Sequence, residues 1–202
     1  MNFPWVRHYQ RYEYLVNMGY ITNAVVADVG CSYFPLGAYA MATFAKTVFA
    51  IDPYAKPIKG VSACSNVECF GIFIVDNEKV IIVPESIFDF VGKVNVAVAC
   101  EVFEHMPDPG KFIKHLSRMC EYAFITTPLV SETRKTRNPE HVAEYSAKDF
   151  DGIVGEGFDV ESKVYQTGDM QILDRIECRD CDSFCLGHID QMVWARSKHA
   201  TK

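Results

Sequence analysis

The sequence has no surplus of positive charge: 20 Lys and Arg stand against 26 Asp and Glu, for a formal net charge of −6. A protein that coats nucleic acid needs a basic surplus to displace counterions, so nucleic acid is not an expected partner. The densest basic group, Arg134, Lys135 and Arg137, is short and reads as a solvated loop. No apolar run reaches membrane-spanning length. Residues 1–8 hold no apolar core of the kind a secretory signal needs, so the expectation is a cytoplasmic chain with no membrane attachment. Repeats, low-complexity tracts and Pro/Gly/Ser-rich linkers are missing as well. Residues 1–202 are expected to form a single domain, with a helical segment over 1–22 and a cysteine-rich loop over 168–188.

What is present is a series of short apolar runs separated by helical patterns. Residues 24–29 form an unalternating run that stops at Gly30, as a strand buried on both faces would. Residues 35–46 then read as a helix with Pro35 at its first position, where a missing N–H is harmless. A second strand over 47–51 ends on Asp52-Pro53, completing a strand–helix–strand unit. Two strands over 71–75 and 80–83 flank a polar turn, and a short amphipathic piece follows near 87–91. The strand over 94–99 runs into Cys100-Glu101. Asp108-Pro109 opens a helix whose Phe112, Ile113, Leu116, Met119 and Cys120 share one face. A strand over 122–126, a capping box at Ser146–Asp149 and two closing strands over 158–165 and 191–196 complete the pattern. The closing pair is expected to lie antiparallel at one edge. The expected fold is therefore α/β, with a doubly wound, mostly parallel sheet and an antiparallel edge strand.

In such sheets, ligands bind beyond the carboxyl ends of the strands. Asp28-Val29-Gly30-Cys31-Ser32 is the first place to look, because glycine lets the backbone turn and a ligand come close. It is not the dinucleotide fingerprint, since positions 32 and 35 are Ser and Pro, and it lacks the Lys-Ser/Thr of a phosphate-cradling loop. Asp52, at the end of the second strand, can accept hydrogen bonds from ribose hydroxyls; its plainer reading is a turn residue before Pro53.

The turn at 28–32 resembles the first motif of the class I methyltransferases, in which an acid precedes a glycine-rich turn; Ser32 and Phe34 stand where that family prefers Gly. More specifically, Ala99-Cys100-Glu101-Val102-Phe103-Glu104-His105-Met106-Pro107-Asp108-Pro109 resembles the segment after the fourth strand of the type 11/23 small-molecule methyltransferases. Asn138-Pro139-Glu140-His141-Val142-Ala143-Glu144-Tyr145-Ser146 is similar to that group's histidine-containing segment. The resemblance spans residues 25–158 and is weakest over 54–83. It implies an enzyme that uses S-adenosyl-L-methionine and methylates an acceptor, most simply a small molecule. It also implies that Asp28, Gly30, Cys31, Ser32, Asp52, Cys100 and Glu101 bind the cofactor, with Glu85 and Ser86 as the adenine contact. His141 and His105 are the candidate catalytic bases, each with a plainer alternative as a packing or helix-start residue.

Other readings stay open. A degenerate member of the fold could act as a binding module or scaffold. A nicotinamide-dependent oxidoreductase would share the strand–helix–strand unit but lacks the glycine pattern. Cys178, Cys181, Cys185 and His188 bring soft ligands together, yet their spacing is not that of paired zinc ligands. They are read as a reduced loop, and no metal site is expected.

Overall fold

The computed structural model describes residues 4–33, 35–57, 78–129, 139–167, 171–174 and 189–200. The expected strand over 71–75 and the residues Cys178, Cys181, Cys185 and His188 lie outside the described residues. The chain divides into two compact units, residues 1–96 and 97–202.

The first unit contains helix α1 (Pro4–Asn17), strand β1 (Val25–Val29), helix α2 (Leu36–Ala42) and strands β2 (Thr47–Ile51) and β3 (Val80–Val83). Its strands are parallel in the order β3-β2-β1, with Val26 opposite Val48 and Phe49 opposite Ile81. Val26, Ala27 and Val29 are buried, as the unalternating run requires. Helix α2 is shorter than the expected 35–46, and Pro35 sits just before it. The cause is the chain reversal into β2. Phe44 N–H closes a tighter, three-residue turn on the Met41 carbonyl, and Lys46 N–H already bonds to Ala24 beside β1. The expected amphipathic piece at 87–91 is a turn, closed by Asp89 N–H on the Ser86 carbonyl and Phe88 N–H on the Ser86 hydroxyl. Too few residues separate it from the next strand for a helix to form.

Strand β4 (Val94–Cys100) runs from the first unit into the second. The second unit continues with helix α3 (Pro109–Met119), strand β5 (Cys120–Pro128), helix α4 (Ala147–Val154) and strands β6 (Phe158–Gln166), β7 (Ile172–Leu173) and β8 (Asp190–Ser197). Both helix starts follow their local sequence. Asp108 Oδ1 accepts the Lys111 N–H at 2.8 Å, and Ser146 Oγ accepts the Asp149 N–H at 3.2 Å. Each such cap is worth about 1 kcal/mol. Phe112, Ile113, Leu116 and Met119 of α3 are buried, confirming the expected face. Strands β6 and β8 pair antiparallel as expected; β8 also pairs antiparallel with β5, and the short β7 extends β6 on its other side. Among the described residues, no helix is long and apolar enough to cross a membrane.

Candidate functional site

In the first unit, the expected cofactor residues gather at the carboxyl ends of the parallel strands. Gly30 and Ser32 both adopt left-handed backbone angles, φ 68° and 64°, so the chain after β1 turns sharply with both residues exposed. For Ser32 that conformation carries a steric cost, and Asp52 offsets it: Ser32 N–H donates to Asp52 Oδ2 at 3.1 Å. The other carboxylate oxygen, Oδ1, accepts the Tyr54 N–H at 2.8 Å. Each oxygen keeps a second acceptor position. Asp52 N–H bonds to the Val83 carbonyl at 3.2 Å, which sets Glu85 and Ser86 just beyond the level of Asp52. Glu85 is exposed, whereas the Ser86 hydroxyl is engaged in its own turn.

Asp28 and Cys31 face the other way. Asp28 is 1% exposed, and its carboxyl points to the Tyr12 hydroxyl. Burial, with a smaller contribution from the Asp52 charge, pushes its pKa up to about 7, against the opposing hydrogen bonds from Tyr12 and the Ala38 backbone. The Cys31 side chain is buried, and burial drives its thiol far above the ordinary range. Both residues shape the turn from beneath. Tyr12, which no sequence motif singles out, belongs to this set.

In the second unit, Cys100 is buried at the end of β4, and Glu101 follows with a left-handed φ of 57°. Thr126 holds it there. Glu101 N–H donates to Thr126 Oγ1 at 3.1 Å, and that hydroxyl donates to Glu101 Oε1 at 2.8 Å. That conformation is sparsely allowed for a glutamate, and the closed pair with Thr126 offsets its cost. A 3-10 turn, Phe103–His105, comes next. Its Glu104 is buried, and Oε2 accepts the Thr127 hydroxyl at 3.1 Å.

The two candidate histidines meet. Their rings lie 5.2 Å apart at 83°. Val142 and Ala143 N–H groups both donate to the Glu104 carbonyl, at 2.9 and 3.2 Å, fastening the segment that carries His141 to the turn that carries His105. His105 Nδ1 is 2.9 Å from the Glu140 carbonyl oxygen, and His141 Nδ1 is 3.4 Å from Glu144 Oε1. The sequence motifs hold Glu104, Glu144 and both histidines; that Thr126 pairs with Glu101 and Thr127 with Glu104 emerges only from the folded arrangement.

A methyltransferase domain family model matches residues 21–162 of the chain. No curated protein sequence matches it significantly. Among solved structures, magnesium protoporphyrin IX methyltransferase from Synechocystis with bound S-adenosylmethionine is similar, with a TM-score of 0.59 and 14% identity, covering 95% of this chain and 80% of that one. The N-methyltransferase NodS from Bradyrhizobium japonicum, in complex with S-adenosylhomocysteine, is similar at a TM-score of 0.59 and 16% identity, covering 95% and 88%. At these identities the likeness establishes the fold, which is the Rossmann-like α/β fold expected from the alternating strands and helices.

Proposed function

The chain belongs to the methyltransferase domain family, and from that premise we propose that it transfers a methyl group from S-adenosyl-L-methionine to a small-molecule acceptor. The observation that carries this reading is the exposed left-handed turn at Gly30 and Ser32, held by Asp52. The turn leaves backbone open to a ligand, and the Asp52 carboxylate keeps acceptor positions for two ribose hydroxyls. The first unit's residues thus fit the adenosine part of the cofactor, with Asp52 on the ribose, Gly30 and Ser32 as the close backbone surface, and Glu85 toward the base. Asp28 and Cys31 are buried beneath the turn, where their side chains support it from within. Cys100 and Glu101 are assigned to the cofactor as well, Glu101 by way of the conformation that Thr126 imposes.

The bound sulfonium would supply an already activated methyl group, so the protein's task is to hold donor and acceptor in line. An oxygen acceptor must also shed a proton around the time of transfer. His141 and His105 are the residues assigned to that end of the reaction. A mildly acidic chain suits a small acceptor better than a nucleic acid. Buried thiols at Cys31, Cys100 and Cys120, none in a disulfide, suit a reducing compartment such as the cytoplasm.

Calorimetric titration with S-adenosylmethionine, S-adenosylhomocysteine and NAD tests the reading. Saturable binding of the first two in preference to NAD is the expected result. No heat and no thermal shift with either sulfur ligand up to millimolar concentration would overturn it.

A further inference from the structure

We propose that Glu104, His105 and His141 form a binding site for a divalent first-row transition-metal ion. One donor atom from each of the three lies within 4.8 Å of the others. Cis donors around a zinc-like ion at about 2.0–2.2 Å stand roughly 3–3.5 Å apart, so side-chain rotations of about an ångström close the set.

The orientation of each ligand is the second observation. A carbonyl oxygen only accepts, so His105 Nδ1, at 2.9 Å from the Glu140 carbonyl, carries the ring proton. Its Nε2 is then the lone-pair nitrogen, and it is this atom that lies 3.9 Å from Glu104 Oε1. Metal-bound histidines are usually oriented in this way, with the remote ring nitrogen donating to a carbonyl or carboxylate. Beside His141 a second carboxylate stands close: Glu144 Oε1 lies 3.4 Å from its Nδ1. Glu104 is oriented too, because Thr127 occupies Oε2 and directs Oε1 toward the histidines. The two backbone bonds onto the Glu104 carbonyl fix the spacing of the two segments. Phe103, next to Glu104 in the chain, packs edge to face on Tyr145 at 4.7 Å, and both rings are buried.

Two imidazoles and one carboxylate suit manganese, iron or zinc better than magnesium or calcium, which prefer all-oxygen shells. Three protein ligands leave coordination positions open, and His105, whose side chain is 40% exposed, marks the side open to solvent. An acceptor oxygen could enter there, and the cation would favour its ionised form. The preferred acceptor class is therefore a hydroxyl compound, above all one with two adjacent hydroxyls able to reach the same ion. This acceptor assignment rests on the methyltransferase reading; the ion site does not.

Chelator-treated wild-type protein is titrated with Mn2+ alone by calorimetry, and bound ion is counted by electron paramagnetic resonance. Manganese is the probe because the thiols of Cys178, Cys181 and Cys185 take it up poorly. The expected result is one ion per chain, with affinity at least tenfold weaker in His105→Ala and in His141→Ala and unchanged in the exposed control His199→Ala. His105→Ala removes a partly exposed ring, so its fold is the safer of the two, and circular dichroism confirms it. Absence of wild-type binding, or binding that both substitutions leave unaltered, would overturn the site. S-adenosylmethionine titration of the same preparation in EDTA reports on the methyltransferase reading separately, since the first unit's residues need no ion.

Discussion

The phenol of Tyr12, in α1, donates to Asp28 Oδ1 at the end of β1 across 3.4 Å, and both side chains are buried. The acid that resembles a ligand-contacting residue in the motif is here an internal strut joining the N-terminal helix to the turn. Its carboxyl is the main buried acid of the first unit with a titration near neutrality, at about 7.

That titration gives a stability prediction. The native pKa lies above the ordinary carboxylate value of 3.8, so the folded protein holds a proton that the unfolded chain releases between 3.8 and about 7. The contribution of Asp28 to stability is complete below the lower value and is lost as pH rises through the upper one. The full shift corresponds to roughly 4 kcal/mol at most. Asp28→Asn should therefore remove a downward slope in stability between about pH 4 and pH 7. Urea unfolding of both proteins at several pH values checks this; parallel curves would show that the carboxyl is not perturbed.

Gly37→Ala should break the same strut. A methyl group at position 37 would overlap the ring of Tyr12, which is held in place by Asp28 and by burial. Overpacking of this kind costs typically 1–3 kcal/mol. Thermal unfolding should show the loss. A variant as stable as the wild type would mean that the Tyr12 ring moves aside at no cost.

Asp52→Ala should weaken S-adenosylmethionine binding about ten- to a hundredfold, the equivalent of losing one or two charge-assisted hydrogen bonds. The substitution also removes the acceptor of the Ser32 and Tyr54 N–H groups, so the turn itself loosens. Comparing dissociation constants by calorimetry, with circular dichroism as a check on folding, measures the effect. An unchanged constant would reduce Asp52 to a turn residue.

His141→Ala should lower turnover, by on the order of 10²–10⁴-fold, far more than it weakens cofactor binding. The ring lies against His105 and Glu144. Turnover with an identified acceptor and cofactor affinity on the same protein form the paired measurement. Wild-type turnover would remove His141 from the chemistry.

The sequence alone determined those features that depend on local physics. The runs at β1, β2 and β4 announce buried strands because they are dominated by apolar residues with no regular polar alternation. Asp108-Pro109 and Ser146–Asp149 start helices because a side-chain oxygen meets the first N–H groups within three residues. The motif residues Gly30, Asp52 and His141 could be named for the same reason: each belongs to a short contiguous pattern. Tertiary structure decided the rest. Whether Asp28 faces a ligand or the interior depends on where Tyr12, sixteen residues earlier, is placed by helix packing. The left-handed backbone of Glu101 depends on a threonine twenty-five residues away. The approach of His105 to His141 depends on the carbonyl of Glu104, which gathers two N–H groups from a segment nearly forty residues downstream. None of these has a period or a spacing in the chain. Each is set by which backbone groups find partners when the strands and helices pack, a condition on the whole fold that no window of sequence contains.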